Sequence, residues 1–155
     1  MLKAPQLHFA IDDPASSEVM PLIEQLDGYL AELYPTGNIH PVPVEELKQP
    51  NVTFLTARVD GLPVACGACV WHAGYVEVKR MYVLPACRGL GLGKQLLEAL
   101  EKEVRRGGGR LIRLETGTAQ AEALELYEHA GYRRCPPFGE HHANPRSVCM
   151  EKALA

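Results

Sequence analysis

The chain of 155 residues contains no apolar run approaching the ~20 residues that a membrane-spanning helix requires, which argues against a membrane protein. Its opening residues, Met1-Leu2-Lys3-Ala4-Pro5, lack the apolar core of a signal peptide, so the expected location is the cytoplasm. Basic blocks are missing apart from Arg105-Arg106, and with a formal net charge of −3 this argues against nucleic acid as a partner. There is no linker, no internal repeat and no low-complexity tract beyond Gly107-Gly108-Gly109. At 46% hydrophobic residues, the chain reads as one domain spanning 1–155. A chain of this length buries roughly 70% of its unfolded surface.

A second cysteine pair is also missing. Cys66-Gly67-Ala68-Cys69 reads as C-x-x-C, but Cys87, Cys135 and Cys149 are scattered singly, and zinc would need a matching pair. The segment around the pair reads as a strand, where side chains three apart point to opposite faces. That geometry defeats both chelation and a disulfide, so the cysteines are expected to be reduced and mostly buried, and no metal is expected. His141-His142 lies in a Pro/Gly-rich stretch and is read as part of a solvated or substrate-lining loop rather than as a metal site.

What is present is an ordered succession of periodic segments. Gln6 to Ile11 reads as a strand, and Ser16 or Ser17 can cap a helix with apolar positions Val19, Leu22, Ile23, Leu26, Leu30 and Leu33. After Pro41-Val42-Pro43 comes a short helix near Val44 to Leu47. Strands are expected at Val52–Val59, Leu62–Trp71 and Tyr75–Leu84, joined by the hairpin signals Asp60-Gly61 and Ala73-Gly74. A helix follows with its apolar stripe at Leu92, Leu96, Leu100 and Val104, widened by Leu97 and Ala99. Arg110–Glu115 reads as a strand, Gln120–Ala130 as a helix, and Tyr132–Cys135 and Arg146–Glu151 as the last strands. An α/β (α+β) domain follows, in which an antiparallel meander leads into a strand-helix-strand unit.

The richest chemistry lies at Leu84-Pro85-Ala86-Cys87-Arg88-Gly89-Leu90-Gly91-Leu92-Gly93, running from a strand into the Leu92 helix. Helix N-termini leave amides unpaired and carry partial positive charge, so an anion there satisfies both. Glycines at 89, 91 and 93 let an anion approach the backbone, and the first helical turn holds Lys94 and no acid. A Walker A loop ending on Lys94 would need glycine where Arg88 stands and a hydroxyl where Gln95 stands. A dinucleotide fingerprint starting at Gly89 would need glycine at Lys94. Arg-x-x-Gly-x-Gly remains, against the plain alternative of a ligand-free glycine turn.

The segment from about Val76 to Tyr132 resembles the GNAT superfamily of acetyl-CoA-dependent N-acyltransferases, and the order of the other segments is compatible with that fold. Arg88-x-x-Gly91-x-Gly93 resembles the superfamily's pyrophosphate loop. Gln120-x-x-Ala123-x-x-Leu126-Tyr127-x-x-x-Gly131-Tyr132 resembles its second signature, which usually begins with Asn, so the contact of that Asn is not carried over. The resemblance implies a mixed, mostly antiparallel central sheet flanked by helices, acetyl-CoA as co-substrate and no metal. It implies a cofactor site of Met81, Tyr82, Val83, Arg88, Gly89, Leu90, Gly91, Leu92, Gly93 and Lys94, with the Met81–Val83 edge pairing the pantetheine arm and supplying the oxyanion donor.

Acyl transfer to an amine calls for a base, because an ammonium of pKa ~10.4 is mostly charged at pH 7. Strand alternation sets Glu77 on one face with Lys79, Met81 and Val83, and the resemblance favours a glutamate in this strand. Glu115, water, or a purely structural Glu77 are the alternatives. Departing coenzyme A needs a proton, and Tyr127 matches the superfamily's tyrosine, the alternative being a core tyrosine. Tyr29, Tyr34, Asn38, His40, Glu115 and Glu140 to His142 are candidates for the acceptor side, with Tyr34, Glu115 and His142 the substrate-binding choices. The expected activity is direct transfer of acetyl to a small amine in a ternary complex. A protein or peptide acetyltransferase, or a non-catalytic acyl-CoA-binding regulator, is the alternative, and a homodimer stays open.

Overall fold

Three strands joined by two tight turns build the centre of the sheet. In the computed structural model, which describes residues 6–34, 43–139, 141 and 144–154, these are β2 (Val52–Val59), β3 (Leu62–His72) and β4 (Tyr75–Val83). Asp60 and Gly61 take φ of 50° and 84°, so both central residues of the first turn are left-handed, as a primed two-residue hairpin requires. β1 (Leu7–Ile11) adds antiparallel to β2 at one edge. β5 (Leu111–Gly117) lies parallel to β4 and antiparallel to β7 (Ser147–Ala153), which also pairs with the short β6 (Arg133–Arg134). The order β1-β2-β3-β4-β5-β7-β6 makes a mixed sheet of seven strands with one parallel pair, the mostly antiparallel α/β arrangement expected.

The two faces carry separate cores. On one face, α3 (Leu92–Arg106) buries Leu92, Leu96, Leu97, Leu100 and Val104 against Ala65, Cys69, Val76, Val78, Ile112 and Leu114, and α4 (Ala121–His129) packs beside it. On the other, α1 (Met20–Leu33) and α2 (Val44–Leu47) pack Leu22, Ile23, Leu26 and Leu47 onto Phe54, Cys66, Ala68 and Tyr82. Cys66 and Cys69 thus face opposite ways, and burial pushes each thiol up to about 12. Neither is a thiolate at neutral pH.

Three expectations need correction. Helix α1 starts at Met20 rather than after Ser16 or Ser17; the Ser16 hydroxyl instead accepts from Val19 N at 3.2 Å in the turn before it, and Pro21 fills the first helical turn. Residue alternation along β4 also breaks. Arg80 takes a left-handed φ of 59°, and the register against β3 shifts at this point, so two residues of β4 face one of β3. Before this bulge Val76 and Val78 face α3; beyond it Met81 and Val83 do. Glu77 therefore shares its face with Lys79 but not with Met81 and Val83. Finally, β6 is confined to Arg133 and Arg134, flanked by Tyr132 in the core and the Cys135 N–H on Cys149 O at 2.9 Å.

Candidate active site

The parallel joint between β4 and β5 is short. It pairs Val76, Glu77 and Val78 with Ile112, Arg113 and Leu114, and then the strands part, leaving 79–83 and 115–117 facing each other across an opening. At the wide end of that opening a 3-10 turn, Pro85–Cys87, turns the chain into α3. Arg88 N still donates to Pro85 O, and Gln95 N donates to Gly91 O at 3.1 Å, but among the described residues the amides from Gly89 to Lys94 donate to no backbone carbonyl. They form an unsatisfied row at a helix N-terminus with no acid in its first turn. Gly91 caps the helix with φ of 74°, and Gly89 has φ of 82°. A Cβ at either glycine would enter open space, so these positions face solvent at a place an anion can occupy. The residues present fit a pyrophosphate.

A cleft of about 290 Å³ opens from this loop. It brings together Met81, Tyr82, Val83, Arg88, Gly89, Gly91, Leu92, Gly93, Lys94, Gln120 and Tyr127, drawn from β4, the loop, α3 and α4. Of the expected cofactor residues only Leu90 lies outside this lining, and that residue is 74% exposed. Leu26, Tyr29, Cys87, Glu122, Ala123 and Leu126 complete the wall. Ala123 and Leu126 belong to the second motif, whereas Leu26 and Tyr29 come from α1; Tyr29, an acceptor-side candidate in the sequence, lies in this cleft under the Arg88 guanidinium. Arg88 folds back along β4: its Nε donates to Val83 O at 3.0 Å, and its guanidinium rests over the rings of Tyr82 and Tyr29 at 5.4 and 5.9 Å.

Tyr127 reaches the cleft from α4, its ring edge-on to Tyr132 at 5.8 Å. Burial raises its pKa, so the hydroxyl is protonated at neutral pH, and among the described residues it makes no hydrogen bond. Gln120, standing where the family motif has Asn, accepts from Gly117 N at 2.9 Å and thereby fixes the turn between β5 and α4. Tyr34 meets this turn from α1. It is buried, its hydroxyl accepts from Ala119 N at 3.3 Å and lies 3.4 Å from Gln120 Oε1, and a Cβ at Gly117 would collide with it. Tyr34 is thus a clasp between elements and does not line the cleft. Of the other acceptor-side candidates, Asn38, His40, Glu140 and His142 fall outside the described residues.

Glu77 lies on the opposite side of the sheet from Tyr127, below the point where β4 and β5 part. Its side chain is only 6% exposed, and its Oε2 lies 2.7 Å from His141 Nε2 and 3.7 Å from Lys79 Nζ. The other ring nitrogen, His141 Nδ1, lies 3.2 Å from Glu115 Oε2. Carboxylates only accept, so a ring serving both must carry two N–H groups. His141 is accordingly an imidazolium, its pKa pushed up to about 9 by the hydrogen bonds to Glu115 and Glu77 against the effect of burial. Burial opposes ionisation of Glu115, but His141, Ser147 and Lys79 outweigh it and hold that carboxyl below the usual range.

The matches to known proteins agree with this geometry. Residues 22–132 match the model of the acetyltransferase (GNAT) family. The chain is 41% identical to an IAA acetyltransferase of Azospirillum brasilense, over 97% of this chain and 99% of that one. It is 30% identical to the N-acetyltransferase YsnE of Bacillus subtilis, over 96% and 100%. A Klebsiella pneumoniae structure assigned as an acyl-CoA N-acyltransferase superposes with a TM-score of 0.80 at 34% identity, covering 97% of this chain and 98% of that one. The open joint between β4 and β5, the unpaired amides at the start of α3 and these full-length matches lead to one conclusion: the chain is an acyltransferase enzyme and belongs to the GNAT acetyltransferase family.

Proposed function

We propose that this protein is a cytoplasmic N-acetyltransferase that moves acetyl from acetyl-CoA directly to a small primary amine within a ternary complex. The observation that carries the reading is the run of unpaired amides from Gly89 to Lys94 opening into a cleft that also holds Tyr127. The amides and Lys94 hold the pyrophosphate, and the Met81–Val83 edge pairs the pantetheine arm once Arg88 releases Val83 O. A backbone N–H of that edge meets the thioester oxygen.

Tyr127 and Glu77 divide the proton work. Glu77 takes a proton from the acceptor nitrogen, directly or through one water, as that nitrogen bonds to the acetyl carbon. Tyr127 gives its proton to the sulfur as the carbon–sulfur bond breaks. Cys66 and Cys69 are neutral thiols buried on opposite faces, which favours direct transfer over a cysteine-bound acetyl group.

The names of relatives guide the choice of acceptors. An aminoalkylphosphonate N-acetyltransferase of Salmonella typhimurium is 36% identical over 57% of this chain, and the Azospirillum relative is named for IAA. The test is free-thiol release from acetyl-CoA with amino acids, polyamines, aminoglycosides, aminoalkylphosphonates, IAA and peptide N-termini. Turnover of one small-amine class supports the reading. Turnover of peptides alone would replace it with a peptide acetyltransferase, and none above hydrolysis with an acyl-CoA-binding regulator.

A further inference from the structure

His141 comes from a loop far from the motifs, yet among the described residues it is the closest partner of Glu77, across a sequence separation of 64. The loop is held there by a chain of rings. His141 meets Phe138 edge-on at 4.9 Å, Phe138 meets Tyr75 edge-on at 5.5 Å, and Tyr75 stacks on His72 at 4.8 Å. His72 Nε2 then lies 3.5 Å from Glu77 Oε1, which closes the circuit. A Cβ at Gly139 would press on the Tyr75 hydroxyl at 2.8 Å, and His141 N donates to Phe138 O at 2.9 Å, so the backbone of the loop is fitted to this wall.

The two oxygens of Glu77 are consequently unequal. Oε2 is held by His141 and faces Lys79, whereas Oε1, among the described residues, has only His72, beyond ordinary hydrogen-bond distance. Among the described residues, the charged and titratable groups around the His141 ring are Glu77 and Lys79 from β4, His72 from β3, Arg113 and Glu115 from β5, and Cys149 from β7. Cys149 is opposite Glu115 in the sheet, and burial raises its thiol to about 11, so it stays neutral.

We propose that His141 is a positioning residue for acetyl transfer: its ring, clamped between Glu77 and Glu115, locks Glu77 through Oε2 and leaves Oε1 as the oxygen that takes the acceptor's proton. The inference rests on the reading of Glu77 as the base. A carboxylate held by one oxygen keeps a fixed rotamer, and proton transfer is sensitive to displacements well under a bond length. The clamp is ionic, so a neutral side chain of similar reach does not replace it.

The test combines kinetics with spectroscopy, using acetyl-CoA and the amine that gives the fastest thiol release. His141→Ala should lower kcat about tenfold or more while the KM for acetyl-CoA stays within twofold. Added imidazole should restore rate to His141→Ala, more at pH 6, where imidazole is cationic, than at pH 8. His141→Gln should stay slow. In the wild type, ring-nitrogen NMR of histidine should show His141 holding both protons up to about pH 9. Wild-type kcat in both variants, or a His141 ring that titrates near 6.5, overturns the inference even if Glu77→Gln is inactive. Full activity in Glu77→Gln overturns the base reading and this inference with it, as does the absence of any amine that is turned over. If His141→Ala does not fold, His141→Gln and the wild-type spectrum decide.

Discussion

Glu77 and Met81 stand four residues apart on one strand yet point to opposite sides of the sheet, because Arg80 between them takes a left-handed backbone and inserts a bulge. The bulge lets a single strand present side chains to both faces of the sheet. Met81 faces the cleft beside α3, while Glu77 faces His141.

The Arg80 guanidinium is nearly fully buried and lies 2.6 Å from Asp27 of α1. Arg80→Ala and Arg80→Gly both remove the ion pair, and because Asp27 is 41% exposed and keeps its hydration, that loss should destabilise the protein by only about 1 kcal/mol. Glycine tolerates the left-handed φ, so Arg80→Gly should be about 1 kcal/mol less destabilised than Arg80→Ala. Urea denaturation of the two variants measures the difference, and equal midpoints would show that the bulge relaxes on loss of Arg80.

Replacement of Gly91 tests the anion site. The valine of Gly91→Val would project into open space at a φ of 74°, so it clashes with nothing but strains the backbone by about 1–2 kcal/mol. Coenzyme A affinity by calorimetry should fall by about tenfold or more, equivalent to roughly 1.4 kcal/mol. Unchanged affinity in the folded variant would remove the pyrophosphate assignment.

Tyr127→Phe keeps the ring in contact with Tyr132 and deletes a hydroxyl that makes no hydrogen bond among the described residues. No partner is orphaned, so melting temperature and coenzyme A affinity should hardly move. Loss of the proton donor should lower kcat about 10²-fold. Steady-state kinetics at wild-type rate would leave Tyr127 a packing residue.

The His141 clamp also predicts a pH dependence of stability. A pKa raised from 6.5 to about 9 on folding gives a contribution fully present below pH 6.5 and lost as pH rises through 9. Glu115, lowered from 4.5, contributes above pH 4.5 and loses its contribution as pH falls below that value. The wild type should therefore exceed His141→Gln in melting temperature most between about pH 4.5 and 6.5, and the gap should close toward pH 10. Calorimetry of both proteins across that range is the measurement, and a constant gap would mean that the clamp carries no charge.

The parts of the site legible in the sequence are those written in local backbone chemistry. Arg88 to Gly93 and Gln120 to Tyr132 are continuous segments in which glycine positions, helix starts and apolar spacing all refer to near neighbours. The face of Glu77 was not legible, because a bulge at a non-glycine residue leaves no local signal, and the ion-pair partner of Arg80, Asp27, is 53 residues away in another element. Tyr34 reads as an acceptor residue in sequence, but its partners in the β5–α4 turn are 85 and 86 residues distant. His141 is a histidine in a Pro/Gly-rich loop until Phe138 and Tyr75 bring it onto two carboxylates. Periodicity carries no information about such pairings.

The joint of three residue pairs between β4 and β5 divides the sheet into two unequal sections, β1 to β4 and β5 with β7 and β6. Across most of the lengths of β4 and β5 no ladder bonds tie one section to the other, so the joint is where native-state opening should begin and where amide exchange should be fastest within the sheet. In the proposed binding mode the pantetheine arm pairs with the open Met81–Val83 edge of β4 and occupies this gap. Saturating co-substrate at a hundred times its Kd contributes about 2.7 kcal/mol to the folded state by mass action, and in that binding mode the increment falls on this open line of the sheet. The proposed binding mode thus makes the resting enzyme's cohesion depend on how much acyl donor surrounds it.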